Sequence, residues 1–318
     1  MLRGLELSLQ QQQRNTQRRC FTSRAKPRVA VGMSGGVDSA VTALLLKQEG
    51  YEVVGVFMKN WDTLEESGVD CQADKDAADA EKICNHLDIP FRHVNFVKEY
   101  WNEVFTPLLE TYAQGETPFP DVDCNRHIKF GHFHSHCLDR LDCDLVATGH
   151  YARVDHGGGP NGTSLLLQAV DKSKDQTLFL STVPQEALSR TLFPLGEFHK
   201  DMVKKMATAH GLEWVARKPE SMGICFVGKR DFKDFLDQYV APAAGEFVDI
   251  DTGKVVGSHQ GAHKYTLGQR IRQPGMPERH YVVSKDLDTQ ARIFFTKCLN
   301  KRCFIFMLIL PLYKSLKV

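Results

Sequence analysis

Residues 29–39 read VAVGMSGGVDS, and no other stretch constrains the fold as strongly. Val29, Ala30 and Val31 form a short β-prone apolar run that stops at Gly32 and Met33. Ser34, Gly35, Gly36, Val37, Asp38 and Ser39 come next, then an apolar segment over residues 40–46 closed by Lys47, Gln48, Glu49 and Gly50. That order specifies a buried strand, a glycine turn and a helix N-terminus. Backbone N–H groups converge in such a turn and the helix dipole adds positive potential, which suits a phosphate. Gly35 and Gly36 let the main chain approach an anion with no Cβ in between. Ser34 and Ser39 can donate hydroxyl hydrogen bonds, and Asp38 can hold a Mg²⁺ ion carried by phosphates.

No Gly-Lys-Ser/Thr follows the glycines, so this is not a Walker A loop. The string resembles the SGGxDS motif of the PP-loop ATP pyrophosphatases. The resemblance implies that ATP is split into AMP and pyrophosphate while a substrate oxygen is adenylated. Further along, short β-rich runs alternate with amphipathic segments. Strands are expected at 52–58, 91–97 and 144–148, and helices at 77–87, 99–112 and 200–210. In the helix at 99–112, Trp101, Val104, Phe105, Leu108 and Leu109 are expected on one side, with Pro107 kinking or ending it. The alternation implies an α/β fold: a doubly wound parallel sheet of the PP-loop (adenine nucleotide alpha hydrolase-like) type. Strand carboxyl ends line the ligand crevice of such a sheet, so Gly32, Met58 and Gly149 are expected to converge on one nucleotide. From Gly245 the texture changes to short alternating strands with a hairpin turn at Asp251, Thr252 and Gly253, the mark of a small β-rich domain.

Charge is segregated along the chain. Residues 1–28 carry seven Lys/Arg and one acid, and residues 291–318 carry six and none, leaving 27 basic and 38 acidic residues between. The body is therefore acidic, and any RNA surface on it has to be a local patch. The basic, acid-poor leader has the character of a mitochondrial transit peptide. The organisation expected is a leader at 1–27, a PP-loop ATP-binding domain at 28–233, a β-rich domain at 234–292 and an atypical tail at 293–318. The tail's apolar run is too short to span a bilayer, so no membrane span is expected. Nine cysteines without a CxxC pair give no zinc or iron–sulfur signature.

Two of those cysteines lie where a reactive thiol belongs. Thr117, Pro118, Phe119, Pro120, Asp121, Val122 and Asp123 form a rigid loop that delivers Cys124 to the start of a helix expected at 126–141. The helix's positive end and Arg126 both favour a thiolate there. Cys225 lies in a Gly-flanked turn with Lys229 and Arg230 near it in sequence. Cys84, Cys137 and Cys143 read as small buried hydrophobes. His132 and His136 share a helix face, but no third ligand accompanies them, and they read as ordinary histidines.

The set GMSGGVDS, GVFMKNWD, TPFPDVDCN-x-x-IKF, ATGHYAR, KDQTLFLS, SMGICFVGKRDF and YTLGQR, in order from about residue 28 to 292, closely resembles the tRNA-specific 2-thiouridylase family. The resemblance implies that ATP adenylates the C2 oxygen of the wobble uridine and that a persulfide sulfur then replaces that oxygen. It implies Cys124 as nucleophile, Cys225 as persulfide carrier and Asp121 beside the target base. Gly32, Met33, Ser34, Gly35, Gly36, Val37, Asp38, Ser39, Met58 and Gly149 would bind ATP, with Mg²⁺ at Asp38. Phe119, Pro120, Asp121, Lys174, Asp175 and Gln176 would contact tRNA, and a cysteine desulfurase or sulfur-relay protein would supply sulfur to a mitochondrial, monomeric enzyme. Two departures stand out: Phe119 replaces the family's usual Asn, where its ring could stack on RNA, and the family's tRNA-gripping C-terminal barrel is missing. The other functions that this sequence admits are a non-catalytic form keeping ATP or sulfur-relay contacts, and another PP-loop amidating or adenylating enzyme. The latter lacks the Cys124/Cys225 pair.

Overall fold

Strand β1 (Arg28–Met33) is buried along almost its whole length because both faces of a parallel sheet are covered. In the computed structural model it is the middle of a five-stranded sheet of order β3-β2-β1-β4-β7, formed with β2 (Glu52–Lys59), β3 (Phe91–Asn95), β4 (Leu145–Ala147) and β7 (Thr191–Leu192). Every pairing in it is parallel, with Val29 opposite Val53 on one side and Leu145 on the other. The structure describes residues 26–62, 72–219, 232–241, 243–271, 279–286 and 292–296. The leader, the tail, and the turn carrying Cys225 lie outside the described residues.

The described chain divides into two units, one drawn from Met1–Tyr100 and Asp121–Phe226, the other from Trp101–Pro120 and Val227–Val318. In the first unit, helices α1 (Val37–Gln48) and α2 (Gln72–His86) pack with the sheet in one apolar core that includes Val31, Ala40, Leu44, Phe57, Ile83 and Cys84. The chain winds outward from β1 through β2 to β3, then crosses back to place β4 on the other side of β1. The order therefore reverses between β1 and β4, and ligand crevices in open α/β sheets form at such a switch point. A small hairpin of β5 (Ala152–Asp155) and β6 (Leu165–Gln168) follows β4, and helix α3 (Lys200–Ala209) comes after β7.

Three expectations need correction. Strand β3 ends at Asn95, because the Asn95 side-chain oxygen accepts the Val97 N–H and starts a helix there. The helix expected at 99–112 changes register: Trp101–Phe105 is π-helical and α-helix resumes at Thr106–Ala113, with Pro107 at the change of register. The register change leaves Trp101 exposed while Val104, Phe105 and Leu108 are buried. The helix expected from Arg126 begins at Pro120 instead, because proline is favoured at a helix start. It runs as Pro120–Asp123, a π-helical stretch Cys124–His132, and Phe133–Asp139. Cys124 is therefore inside a helical run, not at its N-terminus.

In the second unit, β8 (Gly245–Asp249), β9 (Val255–His259), β10 (Arg270–Ile271), β11 (His280–Lys285) and β12 (Arg292–Thr296) make a sheet of order β10-β11-β12-β8-β9. The expected hairpin turn joins β8 to β9, with Asp249 accepting the N–H groups of Asp251 and Thr252 and Gly253 at φ 69°. Phe247, Val282, Ile293 and Phe295 fill its core.

His134, in the Phe133–Asp139 helix, is buried and its Nε2 has no partner among the described residues. Burial, then the Arg190 charge, pulls its pKa down to about 4. The folded state holds the ring neutral while the unfolded chain protonates it below about 6.5. Stability should therefore fall as pH drops from about 6.5 to 4, by on the order of 2–3 kcal/mol from this residue. Urea titrations across that window should show His134→Gln falling less steeply than the parent. Equal slopes would contradict the assignment.

Candidate nucleotide and thiol site

The turn between β1 and α1 is a cradle built from backbone. Gly35 sits at φ +71°, and a Cβ there would stand 2.6 Å from the Asp76 carbonyl oxygen, so only glycine fits. Gly36 is the N-cap of α1, and no side chain caps that helix. Its first-turn N–H groups are thus left for an anion, in the manner of phosphate sites at helix N-termini. The residues present therefore fit the phosphates of ATP. Ser34 and Ser39, expected to donate outward, instead close the loop on itself. The Ser39 hydroxyl donates to the Gly36 carbonyl (3.1 Å) and receives the Ser34 N–H (3.1 Å), with the Ser34 hydroxyl 3.2 Å away.

Met58 and Gly149 come to the same place. A Cβ on Gly32 would lie 3.6 Å from the Met58 methyl and 3.6 Å from the Thr148 methyl. A Cβ on Gly149 would lie 2.9 Å from the backbone of both Asp38 and Ser39, so this glycine is what lets the end of β4 press on the cradle. Val37 and Met33 are buried behind it.

Asp38 is held by residues that the sequence reading missed. Lys200 Nζ donates to both of its carboxylate oxygens at 2.7 Å, and the Tyr151 hydroxyl donates to Oδ1 at 2.9 Å. Lys200 is itself buried at the start of α3, with its N–H on Asp171. A second lysine, Lys218, donates to the Gly35 carbonyl at 2.9 Å and to Asp79 of α2. Two ammonium groups thus stand at the phosphate end of an acidic domain. Among the described residues no group of three or more metal-ligating side chains gathers. One carboxylate together with phosphate oxygens still fits Mg²⁺, provided that Lys200 moves from Asp38 to a phosphate.

Gln176 supports Tyr151, and Asp175 beside it braces the loop. The Gln176 side-chain oxygen accepts the Tyr151 N–H (3.0 Å) and the Gln176 N–H donates to the Tyr151 carbonyl (2.9 Å). Asp175 accepts from the Ala169 N–H (2.6 Å) and the Thr177 hydroxyl (2.9 Å). Both side chains are engaged with the protein, and Lys174 beside them is half-buried.

Cys124 is buried in the second turn of its helical run, which removes the expected help from a helix N-terminus. Phe119 and Asp121 are half-buried, with Pro120 opening the helix. Burial raises the Asp121 carboxyl above its ordinary range, and the Lys129 charge acts against that rise. Cys84, Cys137 and Cys143 are buried as expected, and burial pushes their thiols up, to about 12 at Cys84 and about 11 at Cys143. They are inert at neutral pH.

The first unit is thus a PP-loop-type α/β domain with its cradle at the switch point of the sheet. Residues 27–229 match the tRNA methyl transferase HUP domain family model and residues 233–293 its PRC-barrel domain model. The mouse protein named mitochondrial tRNA-specific 2-thiouridylase 1 is 53% identical over 278 residues, covering 81% of this chain and 66% of its own length. The chicken protein of that name is 49% identical, covering 82% and 68%. Among solved structures, NMN synthetase from Francisella tularensis aligns loosely, at TM-score 0.41 and 16% identity over 71% of this chain and 83% of that one. The chain belongs to the tRNA-specific 2-thiouridylase family, and it spans about two thirds of the length of these relatives.

Proposed function

We propose that the chain takes part in ATP-dependent 2-thiolation of the wobble uridine of mitochondrial tRNA, acting in mitochondria as the names of its relatives have it. The observation that carries this reading is the turn after β4. Its Gly149 and Tyr151 bear on the phosphate cradle, and His150 between them meets the helix that carries Cys124. A nucleotide site and a thiol helix fastened to one turn are what two-step chemistry on a single base requires.

ATP would supply the adenylyl group that activates the uridine C2 oxygen. The cradle amides and Lys200 would hold its phosphates, freeing Asp38 to take Mg²⁺. Asp121, with its carboxyl pushed above its ordinary range by burial, would exchange a proton with the base. Uridine O2 bonds to the α-phosphorus as pyrophosphate leaves with the bridging electrons. The terminal persulfide sulfur on Cys225 then attacks C2, and AMP departs with the C2 oxygen. Cys124 thiolate next attacks the Cys225 sulfur, which leaves 2-thiouridine and a Cys124–Cys225 disulfide that a dithiol reductant must reopen. The sulfur comes from a cysteine desulfurase or a relay protein, and the chain acts as a monomer. Phe119, Pro120 and Lys174 would meet tRNA, while Gln176 serves from behind by holding Tyr151 and Asp175 by holding Ala169 and Thr177.

The test is α-labelled ATP with the purified chain, unmodified tRNA, cysteine and a cysteine desulfurase. AMP that appears only when tRNA is present is expected. Nucleotide binding without tRNA-dependent AMP would favour the non-catalytic reading, and no nucleotide binding would remove the site altogether.

A further inference from the structure

Lys129 lies five residues past Cys124, within the π-helical stretch Cys124–His132, whose i→i+5 repeat brings such residues to one side of the helix. Its ammonium approaches Nε2 of His150 at 3.4 Å, a long contact with a neutral acceptor. The other ring nitrogen of His150 is 2.7 Å from the Thr148 hydroxyl. With an ammonium on Nε2, the ring must carry its proton on Nδ1 and donate it to Thr148. His150 is buried, and burial together with the Lys129 charge holds its pKa well below the ordinary value, so it stays neutral and takes no proton from the lysine. No ion pair joins Lys129 to a carboxylate among the described residues. Asp121 feels its charge without forming an ion pair with it, and a half-buried cation whose one hydrogen-bond contact is loose and neutral has donors left over for an anion.

The place of that cation is set by the turn after β4. His150 follows Gly149, which packs against the backbone of Asp38 and Ser39, and precedes Tyr151, whose hydroxyl is on Asp38. Lys129 is therefore anchored one residue from the cradle and lies on the same helix as Cys124. In the proposed reaction, one anionic group lies between nucleotide and thiol: the α-phosphate, bonded to the adenosine on one side and to uridine O2 on the other.

We propose that Lys129 is a catalytic residue that contacts this α-phosphate, stabilising its charge during adenylation and as AMP departs, with the Thr148–His150 pair as its positioning support. The proposal rests on the nucleotide-site reading above. Stabilising contacts to a charge that develops in the transition state act mainly on the rate.

The test compares the equilibrium binding of AMP and adenosine, which differ only in that phosphate, to the purified chain. The parent should bind AMP more tightly than adenosine. In Lys129→Met the AMP-to-adenosine affinity ratio should fall by about tenfold, the weight of one lost charge-assisted hydrogen bond. Lys129→Arg should keep most of the ratio, and tRNA-dependent AMP formation by Lys129→Met should fall by about 10²-fold while ATP affinity changes far less. Lys129→Gln, which can still bond to His150, provides the same comparison should the methionine variant not fold. A parent-like ratio in the folded variant overturns the role of Lys129 and leaves the nucleotide site standing. A parent chain that binds neither AMP nor ATP overturns the nucleotide reading itself, and the proposal with it.

Discussion

Asp38→Asn should lower tRNA-dependent AMP formation by about two orders of magnitude or more, the usual cost of removing one preorganised charge from a reaction that develops charge. The structure adds a second effect. Lys200 is buried and gives its ammonium to both Asp38 oxygens, so the substitution leaves a cation without its counter-charge. Breaking a fully buried pair costs about 3–5 kcal/mol; because a third of the Asp38 side chain is exposed, about 2 kcal/mol is the expected loss of stability. Asp38→Asn with Lys200→Met should recover part of that stability and none of the activity. Calorimetry and the AMP assay on the two single variants and the double variant separate the effects. A double variant that regains activity would show that Asp38 serves only to neutralise Lys200.

Cys124→Ser and Cys225→Ser should each abolish thiolation, because each removes a sulfur that has to form or break an S–S bond. The three control cysteines should not matter to chemistry. Cys84, Cys137 and Cys143 are packed in the interior with thiols pushed upward by burial, so their serine variants should thiolate at near-parental rates per folded molecule. Cys84→Ser carries a packing cost, since its Sγ stands 2.3 Å from where a Gly55 Cβ would be and the strand and helix touch there. Adenylation precedes sulfur transfer, so both active-cysteine variants should still release pyrophosphate, while Cys225→Ser, with no sulfur to attack C2, should leave AMP on the uridine. Loss of pyrophosphate release in Cys124→Ser would place that thiol in the first step instead.

What could be read in the sequence was what is local. The strand, glycine turn and helix at 28–48 are encoded by consecutive residues, and the same holds for the hairpin turn at Asp251–Gly253. Lys200, Tyr151 and Lys218 were not legible because each reaches the cradle from far along the chain. Lys200 is 162 residues from Asp38, and Lys218 is 183 from Gly35. The only local hint at Lys200 was a basic residue opening a helix. Cys124 was correctly singled out, but its setting was misread. The proline at 120, taken as loop stiffening, in fact starts the helix, and the π register of 124–132 depends on packing that no periodicity displays. Lys129 and His150 stood in recognised motifs, yet only the fold sets them against each other.

One chain, in the function proposed above, activates a uridine with ATP and passes it a sulfur from its own cysteines. The most direct measurement incubates the purified chain with ATP, Mg²⁺, unmodified mitochondrial tRNA, a cysteine desulfurase and ³⁴S-labelled cysteine, then analyses protein and RNA by mass spectrometry. Heavy sulfur is expected as a persulfide on Cys225 and heavy 2-thiouridine at the wobble position, the latter only when ATP is present. Heavy 2-thiouridine formed without label on Cys225, or label on Cys225 with no thiolated uridine despite tRNA-dependent AMP release, would contradict that function.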